Sequence, residues 1–275
     1  MRCRPVAPFR TSPAVLLCVA FITLSVAGCG SPDPVTDGST PTPTSQASGT
    51  DPGAATPTAA VGTVPVDARM QLAAAAATAS DLHATTLYTL STTDRVDRTV
   101  TVVTATDGSW RVDIPGGALA GAVDIAMAGN ADGLFQCRLA SAQQPAAPSC
   151  VRLGDPDVDV DPAVDPRLQH LFTDWLSVLT DRRAPLAVSV ADPLAGADGT
   201  CFSVESTTAS LQPPLDVGIY CYRADGTLTA ARLAVGGLVL AGTPGAAPQS
   251  ITLPGPVTAG AAMRTGGPPA APTSE

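Results

Sequence analysis

Thr99-Val-Thr-Val-Val-Thr-Ala-Thr-Asp-Gly-Ser-Trp-Arg-Val-Asp-Ile114 is the stretch on which the fold turns. Residues 99–105 form a β-branched run, and such side chains fit a pleated, half-buried surface better than a helix. Trp110 to Ile114 alternates apolar with polar, the period of a strand with one buried face. Asp107-Gly108 between them is a hairpin turn signal. The stretch therefore predicts two antiparallel strands joined by a tight turn.

Working outward, further strands are expected at 134–139, 150–153, 186–190, 201–205, 218–223, 228–234 and 249–253. Asp225-Gly226 marks a second tight turn. Two helices interrupt the series. The first is expected over Val66–Ala79, with Asp67 near its start and an alanine run that favours helix. The second is expected over Pro166–Leu179, with Asp165 as its cap and Pro166 at the first helical position. Leu168, Leu171, Phe172, Trp175, Leu176 and Leu179 recur at spacings of three and four, which gives an apolar stripe. Consecutive strands with turn-length links define an α+β fold: an antiparallel sheet with the helices on one face.

The ends of the chain differ from its middle. Arg2, Arg4 and Arg10 precede the short apolar stretch Ala14–Val26, which is below the ~20 residues of a spanning helix. Residues 1–28 thus read as an export signal. The run Val26-Ala27-Gly28-Cys29 resembles the lipobox of bacterial lipoprotein precursors. That resemblance implies diacylglyceryl transfer to the Cys29 thiol, cleavage before it, and a lipid-anchored protein on the outer face of the cell membrane. Residues 29–64 hold the lipidated cysteine and a linker of Ser, Thr, Pro, Gly, Asp and Ala, too polar to bury a core. The folded unit is expected over 65–257, and 258–275 is expected to be a flexible tail.

Seven cysteines reduce to four once Cys3 and Cys18 leave with the signal and Cys29 is acylated. Four allow three connectivities. Cys137–Cys150 and Cys201–Cys221 are the expected bridges, because each pair flanks a hairpin or an adjacent strand pair. Alternation agrees: Phe202 and Val204 lie opposite Cys201 on one strand, and Tyr220 and Tyr222 lie opposite Cys221 on another. Bridges imply an oxidising compartment.

Composition limits the chemistry. All 15 basic residues are arginine, so Schiff-base, P-loop and Ser–Lys mechanisms lack their amine. The formal charge of −9 opposes nucleic-acid binding. Asp155, Asp157, Asp159 and Asp161 form a D-x-D-x-D-x-D run, but an EF-hand wants glycine where Val160 stands and a carboxylate where Pro166 stands. His83 and His170 have no neighbouring nucleophile motif. No catalytic residue, metal ligand or cofactor is expected, although carboxylates of a cell-wall hydrolase could still pair in space.

The order of elements is informative. An acylated cysteine and linker precede a helix, then a run of strands; an apolar helix interrupts them, and more strands follow, including Gly218-Ile-Tyr-Cys-Tyr222 and Asp225-Gly-Thr-Leu228. This layout over residues 65–255 resembles the LolA/LolB-like and LppX/LprG-like envelope lipoproteins of actinobacteria. The resemblance implies a curved antiparallel sheet, a half-barrel, with helices on its concave face and an apolar cavity for acyl chains or glycolipids between them. Leu168, Leu171, Phe172, Trp175 and Leu176 are then the expected cavity residues. The alternative is an accessory envelope lipoprotein with a closed core that binds a protein partner.

Overall fold

The computed structural model describes residues 67–266, apart from 94, 143–144 and 209–213. The expected signal peptide, Cys29 and the linker lie outside the described residues. So do residues 267–275 of the expected tail.

The chain opens with helix α1, Ala68–Ser80, whose cap Asp67 accepts the Arg69 N–H at 3.0 Å. Six strands follow: β1 Ala84–Thr92, β2 Arg95–Thr104, β3 Trp110–Ala118, β4 Val123–Asn130, β5 Gly133–Arg138 and β6 Ser149–Gly154. A 3-10 helix at Leu168–Phe172 and helix α2, Asp174–Thr180, come next. Five more strands complete the order: β7 Leu186–Ala191, β8 Thr200–Ser206, β9 Gly218–Tyr222, β10 Leu228–Leu233 and β11 Gly236–Leu240.

All eleven strands form one antiparallel sheet in the order β6-β5-β4-β3-β2-β1-β11-β10-β9-β8-β7. Each half is a meander of neighbouring hairpins. The central contact is the long-range pair β1–β11, with Tyr88 opposite Leu240 and Leu90 opposite Leu238. Edge strands β6 and β7 do not pair with each other among the described residues, so the sheet is not closed. The turn at Asp107-Gly108 forms as read: Gly108 takes φ +84°, and the Asp107 carboxylate accepts the Ser109 N–H at 2.8 Å.

One face of the sheet carries the main core. Tyr88, Val100, Val102, Val112, Ile125, Phe202, Tyr220 and Leu238 share a cluster with Leu72 and Ala76 of α1 and with Leu168, Leu171, Trp175, Leu176 and Leu179. α1 presents alanines here, and small side chains allow close approach. A Cβ on Gly226 (φ +81°) would run into the α1 backbone at Thr78 and Ala79, so the β9–β10 turn needs glycine.

The opposite face bears the two disulfides. Cys137 is bonded to Cys150 and Cys201 to Cys221, and each pair is directly opposed in register. Ala126 and Phe135 pack on the first bridge, and Ala230 packs on the second. The aromatic residues that alternate with the cysteines face the main core, as the parity of the strands requires.

Four expectations are corrected. The second helix does not run unbroken from Pro166 to Leu179. Arg167 takes φ +64°, and Thr173, with φ −131° and ψ −115°, separates the 3-10 helix from α2. The Asp165 carboxylate accepts the Arg167 N–H at 2.8 Å in a turn rather than capping a long helix. Residues 249–253 are not a strand; they cross the β2–β3 turn, where the Asp107 N–H donates to Gln249 O and the Ile251 N–H to Ser109 Oγ. Three strands absent from the sequence reading, β1, β4 and β11, lie inside the sheet.

Lastly, residues 258–266 are held by the domain rather than frayed. Met263 N–H donates to Gln136 Oε1 at 2.6 Å, and Gln136 Nε2 returns a bond to Met263 O at 2.9 Å. Leu119 N–H bonds Arg264 O, and Thr265 N–H bonds Ala163 O. Gln136 is fully buried, and a buried amide without these partners would be costly.

Candidate functional site

The candidate site is the core face of the sheet where the 3-10 helix and α2 cover it. Asp165 and His170 fix the start of this cover. His170 Nδ1 lies 2.6 Å from Asp174 Oδ1, and its Nε2 lies 2.9 Å from Asp165 Oδ2. Burial pulls the imidazole pKa down, but the hydrogen bonds and charges of the two carboxylates outweigh it and raise it to about 9. The ring is therefore an imidazolium near neutral pH, tying the turn at Asp165 to the first residue of α2 across the break at Thr173. Burial pushes both carboxyls up, yet the contacts with His170 bring each below its ordinary value.

His170 also stacks on Trp175, with ring centroids 5.5 Å apart, while Arg167 lies 5.5 Å over the same indole. Arg167 reaches Asp216 at 2.7 Å, tying this cover to the approach to β9. Thr173 Oγ1 donates back to Gln169 O across the break. His170 is thus a structural clamp.

Beneath the cover, Phe172 meets Tyr88 of β1 with centroids 5.2 Å apart. Beside this contact is a cavity of about 40 Å³ lined by Ala84, Thr86, Tyr88, Val102, Leu171, Phe172, Leu176, Tyr222 and Leu228 among others. Three of the five expected cavity residues, Leu171, Phe172 and Leu176, are brought together here. Leu168 and Trp175 are buried in the adjoining core and do not line it. The Tyr88 hydroxyl donates to Leu228 O at 3.0 Å, whereas the buried Tyr222 hydroxyl has no partner. Tyr88, Tyr222 and Leu228 were not anticipated as lining. The period-two series Ala84, Thr86, Tyr88, Leu90 was the available signal for β1.

The other end of the same sheet face holds a larger, open pocket of about 360 Å³. Leu90, Ile114 and Val235 supply apolar walls, and Arg95, Arg98 and the glycine-rich turn 115–121 form its rim. Leu90 continues the inward series of β1, so the two openings lie at opposite ends of one strand face.

The acidic run 155–161 folds as turns. Arg152 pairs with Asp155 at 2.7 Å, and Asp161 accepts the Ala163 N–H at 2.8 Å. Among the described residues no group of three His, Cys, Asp or Glu side chains is placed to hold a metal ion. No helix there is long and apolar enough to cross a membrane. No protein-family model matches the chain, and no curated protein matches it.

Proposed function

We propose that the protein is an extracytoplasmic lipoprotein, acylated on Cys29 and anchored to the cell membrane, whose domain binds a lipid or other hydrophobic molecule. The ligand lies against the core face of the sheet, beneath the 3-10 helix and α2. In this reading the sheet is a curved half-barrel with the helices on its concave face, as in the LolA/LolB-like and LppX/LprG-like envelope lipoproteins. Residues 30–64 act as a tether. Two cross-strand disulfides support the assignment outside the cytosol.

One observation carries the ligand reading: the inward face of β1 opens at both ends. Tyr88 borders the cavity under Phe172, and Leu90 borders the open pocket beyond it. The 40 Å³ cavity is far below the ~300 Å³ of a small-molecule site, so loading requires the segment 168–180 to move off the sheet. The break at Thr173 gives that segment a place to bend, and opening would expose the apolar side chains it now buries.

Native mass spectrometry and lipid extraction of the protein released from bacterial membranes test the proposal. Co-purifying acyl species in addition to the Cys29 anchor are expected. A clean apo mass, with no uptake of a fluorescent fatty acid, would overturn it.

The small cavity volume favours a second reading, in which the core stays closed and the domain docks a protein partner. The clean apo mass, together with a cross-linked membrane protein that is lost on mutating the sheet surface, would establish that reading instead.

A further inference from the structure

We propose that the pocket at the Arg95–Arg98 end of the sheet binds the anionic headgroup, phosphate or carboxylate, of an amphiphile. The inference rests on the hydrophobic-ligand reading above and adds the headgroup's charge.

Arg98 is the first reason. On β2 it shares a face with Val100 and Val102, both buried in the main core, and it stands opposite the buried Leu90. A cation on the core side of a strand loses hydration. Burial and the neighbouring Arg95 both push the Arg98 pKa down, and Asp124 offsets them only in part. Yet neither Arg95 nor Arg98 forms an ion pair among the described residues. Two guanidiniums thus meet at one pocket on the core side of the sheet with no carboxylate paired to either.

The turn beneath them is shaped to hold both. Arg95 Nη2 donates to Ala120 O at 2.5 Å, and Arg98 Nη1 donates to Pro115 O at 2.6 Å. A Cβ on Gly116 would overlap Arg98 Nη1, and one on Gly121 would overlap the Arg95 guanidinium. Glycine at both places lets the backbone lie flush against the two planar groups. Each guanidinium has five donors, and one apiece is used on these carbonyls. Arg98 Nε is buried without a partner. Planar forks with spare donors match carboxylate and phosphate oxygens.

The nearby carboxylates each hold other partners and form no ion pair with either arginine. Asp124 accepts the Gly116 N–H at 2.7 Å. Asp165, which also borders the pocket, is held by His170, Gln169 and the Arg167 N–H. Leu90, Ile114 and Val235 supply apolar wall beside Pro166 and Thr265, and the volume of about 360 Å³ falls within the range of small-ligand sites. A charged rim on an apolar floor is complementary to an amphiphile rather than to a free anion.

Equilibrium dialysis of the full-length protein in phosphatidylcholine nanodiscs, blanked against empty discs, tests this with three probes: decyl phosphate, decylphosphocholine and inorganic phosphate. Decyl phosphate is expected to bind at least about tenfold more tightly than decylphosphocholine. The variant R95Q/R98Q should bind both alkyl probes equally. Equal binding by the wild type, or a preference that survives in the variant, overturns the headgroup site and leaves the hydrophobic-ligand reading standing. Inorganic phosphate binding as tightly as decyl phosphate overturns the amphiphile assignment and, with no binding of decylphosphocholine, the hydrophobic-ligand reading too. Should the double variant fail to fold by circular dichroism, R95Q alone decides, because the Arg95 side chain is exposed; it should lose part of the preference, and an unchanged preference overturns the proposal.

Discussion

Leu90 stands directly opposite Arg98 across β1 and β2, on the face that carries the main core. The apolar interior ends at this pair: Val100 and Val102 continue it in one direction, and two guanidiniums over a glycine turn close it in the other. The turn should therefore be sensitive to any added side chain. Gly121→Ala places a Cβ against the Arg95 guanidinium at a φ of +90°. It is expected to cost roughly 1–3 kcal/mol, seen as a melting midpoint lowered by several degrees. A midpoint equal to that of the wild type would show that residue 121 does not hold this left-handed conformation in solution.

Stability should fall in alkaline solution through His170. Its folded pKa of about 9 lies above the ordinary 6.5, so the clamp contributes fully below about pH 6.5 and is lost as pH rises through 9. A shift of this size corresponds to at most about 3 kcal/mol, less after solvent screening of the partly exposed ring. Denaturant titrations between pH 6 and 10 should show the decline, and His170→Gln should flatten it over that window. A variant that keeps the wild-type slope would place the titrating group elsewhere.

Each disulfide should stabilise the domain separately. The bridges close loops with sequence separations of 13 and 20 residues, for which chain entropy gives about 3 kcal/mol apiece. Paired serine replacement at Cys137 and Cys150, or at Cys201 and Cys221, should lower the unfolding free energy by about that amount. Peptide mapping of unreduced protein should recover only these two pairs; any third linkage contradicts the register.

Tyr88 and Tyr222 border one cavity but should respond oppositely to loss of the hydroxyl. Tyr88→Phe removes the bond to Leu228 O and should cost about 1 kcal/mol. Tyr222→Phe removes a buried hydroxyl without a partner and should be neutral or stabilising. Equal losses from both would mean that the Tyr222 hydroxyl is satisfied in solution.

Much of the sheet was legible from local pattern. The alternation at 110–114, the Asp-Gly turns and the cysteines that bracket hairpins each concern neighbours in sequence, and each formed as read. The strands that escaped notice carry weak local signals. β4 is buried on both faces and rich in alanine and glycine, β11 begins with two glycines, and threonines break the apolar series of β1. Of the expected cavity residues, Leu171, Phe172 and Leu176 reached the cavity and Leu168 and Trp175 did not. An apolar stripe specifies burial but not what the stripe will face.

By itself, then, the sequence determined the β2–β3 and β9–β10 hairpins, which residues on those strands turn inward, and which cysteines can meet. These follow from the period of two along a strand and from turn chemistry, both local. Tertiary structure alone decided that β1 lies beside β11, that the second helix breaks at Thr173 so that His170 can reach two carboxylates, and that Met263 returns to satisfy Gln136. It also placed Arg98 at the open end of the core. Such contacts join residues far apart in the chain, and their stability comes from burial and hydrogen bonding that exist only once the whole sheet has formed.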